Sequence, residues 1–130
     1  MDSQHLSVHI RRSVDAVYDY ASNPANLPEW AEGLSAGISY EDGEWVSSSP
    51  MGRVTVEMSE NNPYGILDHW VTTADGDTFY NPMRVIEADG GSEVVFTLRR
   101  QPDMSDDAYE ADAIAVVTDL ATLKGVLEKH

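Results

Sequence analysis

The chain contains no cysteine, only two lysines (Lys124 and Lys129) and only two phenylalanines (Phe79 and Phe96). Without cysteine there is neither a disulfide framework nor a thiolate metal site. No apolar run approaches the roughly 20 residues needed to cross a bilayer. The opening Met1-Asp2-Ser3-Gln4-His5 lacks the basic and apolar regions of a signal peptide, so the expected location is cytoplasmic. Basic residues are scarce: 8 Lys and Arg stand against 23 Asp and Glu, a formal charge of −15. A surface this negative repels phosphate backbones and anionic membranes, so neither nucleic acid nor a membrane is an expected partner. At physiological salt the protein should fail to retard DNA or RNA in a gel at micromolar concentration. Retardation that weakens with added salt would contradict the charge argument. The charge serves solubility or, alternatively, steers a cationic ligand.

What is present is the material of a single domain over residues 1–130, with ordinary apolar and charged fractions. Leu6, Val8 and Ile10 alternate with Ser7, His9 and Arg11, the pattern of a strand with one buried face. Ser13 offers an N-cap for a short helix carrying Val14, Val17, Tyr18 and Ala21. Asn23-Pro24 starts a second short helix, whose apolar face is Leu27, Trp30, Ala31 and Leu34. The period then changes to that of strands. Ile38–Tyr40 and Trp45–Ser47 flank the Asp42-Gly43 turn. Pro50-Met51-Gly52 turns the chain into the alternating strand of Val54, Val56 and Met58. Gly65–Thr73 and Thr78–Glu87 follow, the latter broken at Pro82, and Val94, Phe96 and Leu98 mark the last strand. From Ser105, the expected cap, Tyr109, Ala113, Val116, Val117, Leu120, Leu123 and Leu127 form one apolar stripe of a helix to about residue 128.

Segregated strands and helices make the class α+β, and short turns make the sheet antiparallel. A flat sheet of seven strands at about 4.8 Å would span about 30 Å, whereas one helix is only about 10 Å wide. The sheet must therefore curl around the C-terminal helix, and such a curl can leave interior space unfilled. In this setting Val8-His9-Ile10-Arg11-Arg12-Ser13-Val14-Asp15-Ala16-Val17-Tyr18 resembles the first strand and helix of SRPBCC proteins (START-like, polyketide cyclase/dehydrase-like). Asn23-Pro24-Ala25-Asn26-Leu27-Pro28-Glu29-Trp30 is similar to the stretch that follows, and the ending around Asp119-Leu120, Leu123-Lys124 and Leu127-Glu128 fits their C-terminal helix. Asp68-His69-Trp70 and Asn81-Pro82-Met83-Arg84 look like a bacterial subgroup described as polyketide cyclase-like. The resemblance spans the chain. It implies the helix-grip fold: a seven-stranded curled antiparallel sheet around a long C-terminal helix, with two short helices after the first strand. Superfamily members include lipid carriers, hormone receptors, aromatic cyclases and hydroxylase domains, so the fold does not select among functions. The metal ligands of its iron-dependent members have no counterparts here.

His69 is the leading candidate for chemistry, as a hydrogen-bonding group or general acid/base among Leu67 and Val71 on the assigned inward face. A core histidine satisfied by the backbone is the plainer alternative, and the opposite parity would turn Ile66 and Trp70 inward. Asn81 shares a strand face with Phe79 and Met83 and would offer an amide to the interior. Trp30, Met58, Phe96, Tyr109 and Val116 complete the expected ligand-binding wall, each also explicable as plain core. Arg84 would clamp a carboxylate or, more simply, pair with a nearby acid. His5 and His9 lie about 13 Å apart along a strand, too far to share one metal ion. No metal motif, Gly-x-Ser-x-Gly elbow or phosphate loop occurs, so neither metal nor cofactor is expected. The expected function is binding or carriage of a small hydrophobic or aromatic metabolite by a monomer or homodimer. The alternative is a cyclase or dehydratase in which His69 moves a proton.

Overall fold

The computed structural model describes residues 2–49 and 52–129, so the turn read at Pro50-Met51 lies outside the described residues, as does His130. Among the described residues the chain runs β1 (Ser3–Ile10), α1 (Val14–Ala21), α2 (Leu27–Trp30), β2 (Ser39–Glu41), β3 (Glu44–Ser49), β4 (Gly52–Met58), β5 (His69–Thr72), β6 (Thr78–Asn81), β7 (Met83–Ala88), β8 (Gly91–Arg99) and α3 (Asp106–Glu128). Single 3₁₀ turns at Pro24–Asn26 and Glu32–Leu34 flank α2.

The caps form where the residue types place them. The Ser13 hydroxyl accepts the Ala16 N–H at 3.2 Å, Asn23 Oδ1 accepts that of Ala25 at 3.0 Å, and Ser105 Oγ accepts that of Ala108 at 3.1 Å. Asp106 and Asp107 sit in the first turn of α3, against the positive end of its dipole. At the far end α3 is tied to the start of the chain. Lys124 Nζ donates to the His9 carbonyl at 2.7 Å, and the Glu128 carboxylate accepts the Arg11 N–H at 2.9 Å.

The antiparallel strands wrap around α3, as the helix-grip expectation requires. The seven expected strands become eight in two sheets, ordered β1-β8-β7 and β2-β3-β4-β5-β6. A break at Pro82 adds the eighth strand, and a second break, which adds none, changes the pairing between the sheets. Pro82 has no N–H to contribute to a ladder, so the expected strand Thr78–Glu87 divides there into β6 and β7, one in each sheet. The expected strand Gly65–Thr73 divides as well. His69–Thr72 pairs with β4 and β6. The preceding residues instead bond to β7: Leu67 N–H to Met83 O and Val85 N–H to Gly65 O, both at 2.9 Å. Gly65 can take this route because it has φ +72 and no Cβ; a Cβ there would lie 2.3 Å from the Val85 carbonyl oxygen.

Asp68 fastens this corner. It is buried, 8% exposed, and its Oδ1 accepts the Met83 N–H at 2.9 Å and the Arg84 guanidinium, while Oδ2 accepts the Tyr80 hydroxyl at 2.8 Å. Arg84 is thus engaged with an acid, the simpler of its two expected roles. Trp70 and Tyr80, stacked with ring centroids 5.3 Å apart, cover the outside of the same corner.

The core joins Ile10, Val17, Leu27, Trp30, Val56, Leu67, Val85 and Val94 to Leu120, Leu123 and Leu127 of α3. The helical stripe is narrower than its apolar residues suggest. Val117 is 52% exposed, because one residue along a helix turns about 100° away from Val116 and the sheet.

Candidate functional site

Between α2, α3 and the inner sheet faces lies a cavity of about 360 Å³. This falls within the range of small-molecule sites. α2 and the turn after it supply Leu27, Trp30, Ala31, Gly33 and Leu34; β4 supplies Val54; β5 and its end supply His69, Val71 and Thr73; β6 supplies Phe79 and Asn81; β8 supplies Phe96; and α3 supplies Val116, Asp119 and Leu120. Leu27, Trp30, His69 and Leu120 are buried, whereas Gly33 and Phe79 are exposed and mark the mouth.

The alternation of β5 turns His69 and Val71 inward, Leu67 before it is buried as well, and Trp70 is left stacked on the outside. The register sets Asn81 directly opposite His69, and Phe79 opposite Val71, on the same sheet face. His69 is 8% exposed, and its ring meets Phe96 edge-on with centroids 6.1 Å apart. His69 Nδ1 lies 3.1 Å from the Leu67 carbonyl oxygen. A carbonyl only accepts, so Nδ1 carries the proton. Burial pushes the imidazole below its ordinary value of 6.5, outweighing the upward pulls of the Leu67 carbonyl and the Asp68 carboxylate. The neutral ring therefore keeps its lone pair on Nε2.

Asp119 is the second ionisable group of the wall. Its Oδ1 accepts the Glu32 N–H at 3.2 Å, tying the turn beyond α2 to α3. Burial raises its carboxyl above the usual range, and the neighbouring Glu32 carboxylate adds to the rise while the Glu32 N–H opposes it. The indole N–H of Trp30 is buried and has no acceptor among the described residues. An unpaired buried donor of this kind costs about 1–3 kcal/mol.

The structure thus gathers six of the nine expected wall residues: His69, Asn81, Trp30, Phe79, Phe96 and Val116. The other three lie elsewhere. Met83 falls beyond Pro82, in the other sheet, so the alternation counted from Phe79 and Asn81 does not carry across to it; it is core, 2% exposed. Met58, across from His69 on β4, lines a separate cleft with Tyr40, Trp45 and Trp70. Tyr109 stands seven residues before Val116 on α3, about 10 Å along the axis. It packs beneath the Arg100 guanidinium, 5.4 Å from the ring centroid. The cleft at Met58 is larger, about 680 Å³, but Glu44, Glu57, Thr55, Thr72 and Thr78 make its walls as polar as they are apolar, whereas the smaller cavity is mostly apolar. Apolar walls favour the smaller cavity as the binding site.

Asp119 was the residue hidden from pattern reading. Its signal is position: it stands three residues after Val116 and four before Leu123, a carboxylate inside the apolar stripe. Gly33, Val54 and Thr73 carry no comparable signal. Among the described residues no group of three His, Asp or Glu side chains is placed to hold a metal ion, and no helix is long and apolar enough to cross a membrane.

No curated protein sequence matches the chain. Solved structures do. A protein from Bacillus thuringiensis superposes with a TM-score of 0.77 at 16% identity, over 97% of this chain and 98% of that one. Ara h 8.0201 does so with 0.67 at 9%, over 99% of each chain. DynU16, a putative protein in the dynemicin biosynthetic locus, gives 0.71 at 15%, over 98% of this chain and 48% of the other. At these identities the likeness is one of fold, and it is the fold that the SRPBCC resemblance implies. Residues 1–128 match the family described as polyketide cyclase / dehydrase and lipid transport, and the chain belongs to that family.

Proposed function

We propose that the protein binds a small, largely apolar, ring-containing metabolite in the cavity between α2, α3 and the sheet. The observation that carries this reading is the wall itself: aromatic and aliphatic side chains from every layer of the fold surround a few polar groups. Those groups include His69, whose neutral ring has one nitrogen committed to Leu67 and the other available. Sites that hold small molecules are built in this way, with apolar area for affinity and sparse polar groups for orientation.

Replacement of His69 tests the reading. His69→Ala should weaken binding of a phenolic probe such as 1-naphthol by about tenfold, the equivalent of about 1–2 kcal/mol for one buried hydrogen bond. His69→Gln should recover part of the loss. Binding should also weaken as pH falls through the depressed imidazole pKa, because a protonated Nε2 can no longer accept. Unchanged affinity in both variants would remove His69 from the site. Native mass spectrometry of protein purified from its own host would then identify what the cavity retains.

The free Nε2 lone pair also supports the second reading, a cyclase or dehydratase. A neutral imidazole beside a bound substrate can take up a proton, while the apolar wall excludes water. The two readings separate on whether the retained molecule is chemically changed after hours with the protein. In the enzyme, His69→Gln would bind substrate without turnover.

A further inference from the structure

We infer that the cavity selects ligands carrying a protonated nitrogen on an apolar body, with the cation set against Asp119. This rests on the reading of the cavity as a ligand site and adds the charge of what enters it. Three observations lead there independently. First, the ionisable side chains of the wall, His69 and Asp119, offer acceptors only. His69 Nδ1 is spent on Leu67, which leaves the Nε2 lone pair. Asp119 Oδ1 takes the Glu32 N–H, which leaves Oδ2. Two such acceptors call for donors on the ligand, and the Trp30 indole N–H, unpaired among the described residues, leaves room for one acceptor on the ligand's body. Second, among the described residues no lysine or arginine lines the cavity, so a ligand carboxylate would meet no compensating charge. Glu32, exposed at the turn that holds Asp119, adds negative potential beside it, and the whole chain carries −15. Third, Trp30, Phe79 and Phe96 line the same cavity. Aromatic faces beside a carboxylate are suited to an alkylammonium group, which the negative face of a ring attracts. The apolar wall then holds the body of the ligand, and the acceptors hold its donors.

The test uses three probes with one naphthalene body: 2-(1-naphthyl)ethylammonium, 2-(1-naphthyl)ethanol and 3-(1-naphthyl)propanoate, each titrated calorimetrically into the full chain near neutral pH. The amine should bind about tenfold or more tighter than the alcohol, and the carboxylate weakest of the three. Asp119→Asn keeps an oxygen for the Glu32 N–H and removes the charge. It should bring the ratio of amine to alcohol affinity to about one. In the unsubstituted protein, raising the salt should shrink the same ratio, a check that needs no variant. Equal binding of amine and alcohol, a ratio that survives Asp119→Asn, or a carboxylate that binds best would each overturn the inference while leaving the cavity a ligand site. Failure of all three probes to bind would overturn the site and the inference together.

Discussion

Asp68→Ala is expected to destabilise the protein by about 2–3 kcal/mol, because it removes three hydrogen bonds and leaves the buried Met83 N–H without an acceptor. For a domain of this size that is a fall of about 10 °C in melting temperature. The effect should exceed that of removing an ordinary surface ion pair, since Asp68 holds Tyr80, Met83 and Arg84 at the place where the chain passes from one sheet to the other. Burial alone would raise the Asp68 carboxyl. The donors from Met83, Tyr80 and Arg84 outweigh burial and hold it below its ordinary 3.8. A depressed folded-state pKa means that the stabilisation is complete above the unfolded value and is lost as pH falls through the folded one. Acid melting curves should therefore be flatter in the variant below about pH 4. Asp68→Asn, which keeps an acceptor for the Met83 N–H, should lie between the two. A melting temperature within about 2 °C of the parent would mean that the corner is held by the backbone ladder alone.

The same corner shows where sequence reading reaches its limit. Period-2 alternation placed Val54 and Val56 of β4 on one buried face, because that strand keeps one side toward the core and the other toward water. For the strand of His69 alternation left two parities open, Leu67, His69 and Val71 inward or Ile66 and Trp70 inward, and the structure has the first. Alternation has no means of marking a change of sheet. Residues 65–67 and His69–Thr72 read as one strand, although the chain changes partners at Asp68, whose carbonyl already accepts the Ser59 N–H just beyond β4. Pro82 did mark a break, but a missing N–H reveals only that a ladder is interrupted, not that the next residues join another sheet, which is why Met83 was grouped with Phe79 and Asn81. Asp119 escaped for a different reason. A single carboxylate inside an apolar stripe carries no sign of its partner, and the Glu32 N–H that bonds it beside the cavity comes from a turn distant in sequence.

Val116→Trp should abolish probe binding, with a loss of about a hundredfold or more, while Val117→Trp should leave it unchanged. The two positions are adjacent on α3 and chemically identical, so sequence composition cannot separate them. Geometry does. Val116 lines the cavity, and Val117, about 100° further round the helix, is 52% exposed. An indole in place of an isopropyl group would occupy space that a ligand needs, and a cavity of about 360 Å³ can accept it without the strain of overpacking. Val116→Trp should therefore keep or slightly raise the melting temperature as it blocks binding, because it buries further apolar surface. That combination separates obstruction of a site from damage to the fold. Calorimetric titration of 1-naphthol, with thermal melts of both variants, measures it. Loss at Val117 with retention at Val116 would place the probe in the groove of Leu6, Tyr109, Ile114 and Val117 instead. Equal retention would move it to the cleft of Trp45 and Met58. Either result would end the assignment of the cavity between α2 and α3 as the binding site, and with it the roles given to His69 and Asp119.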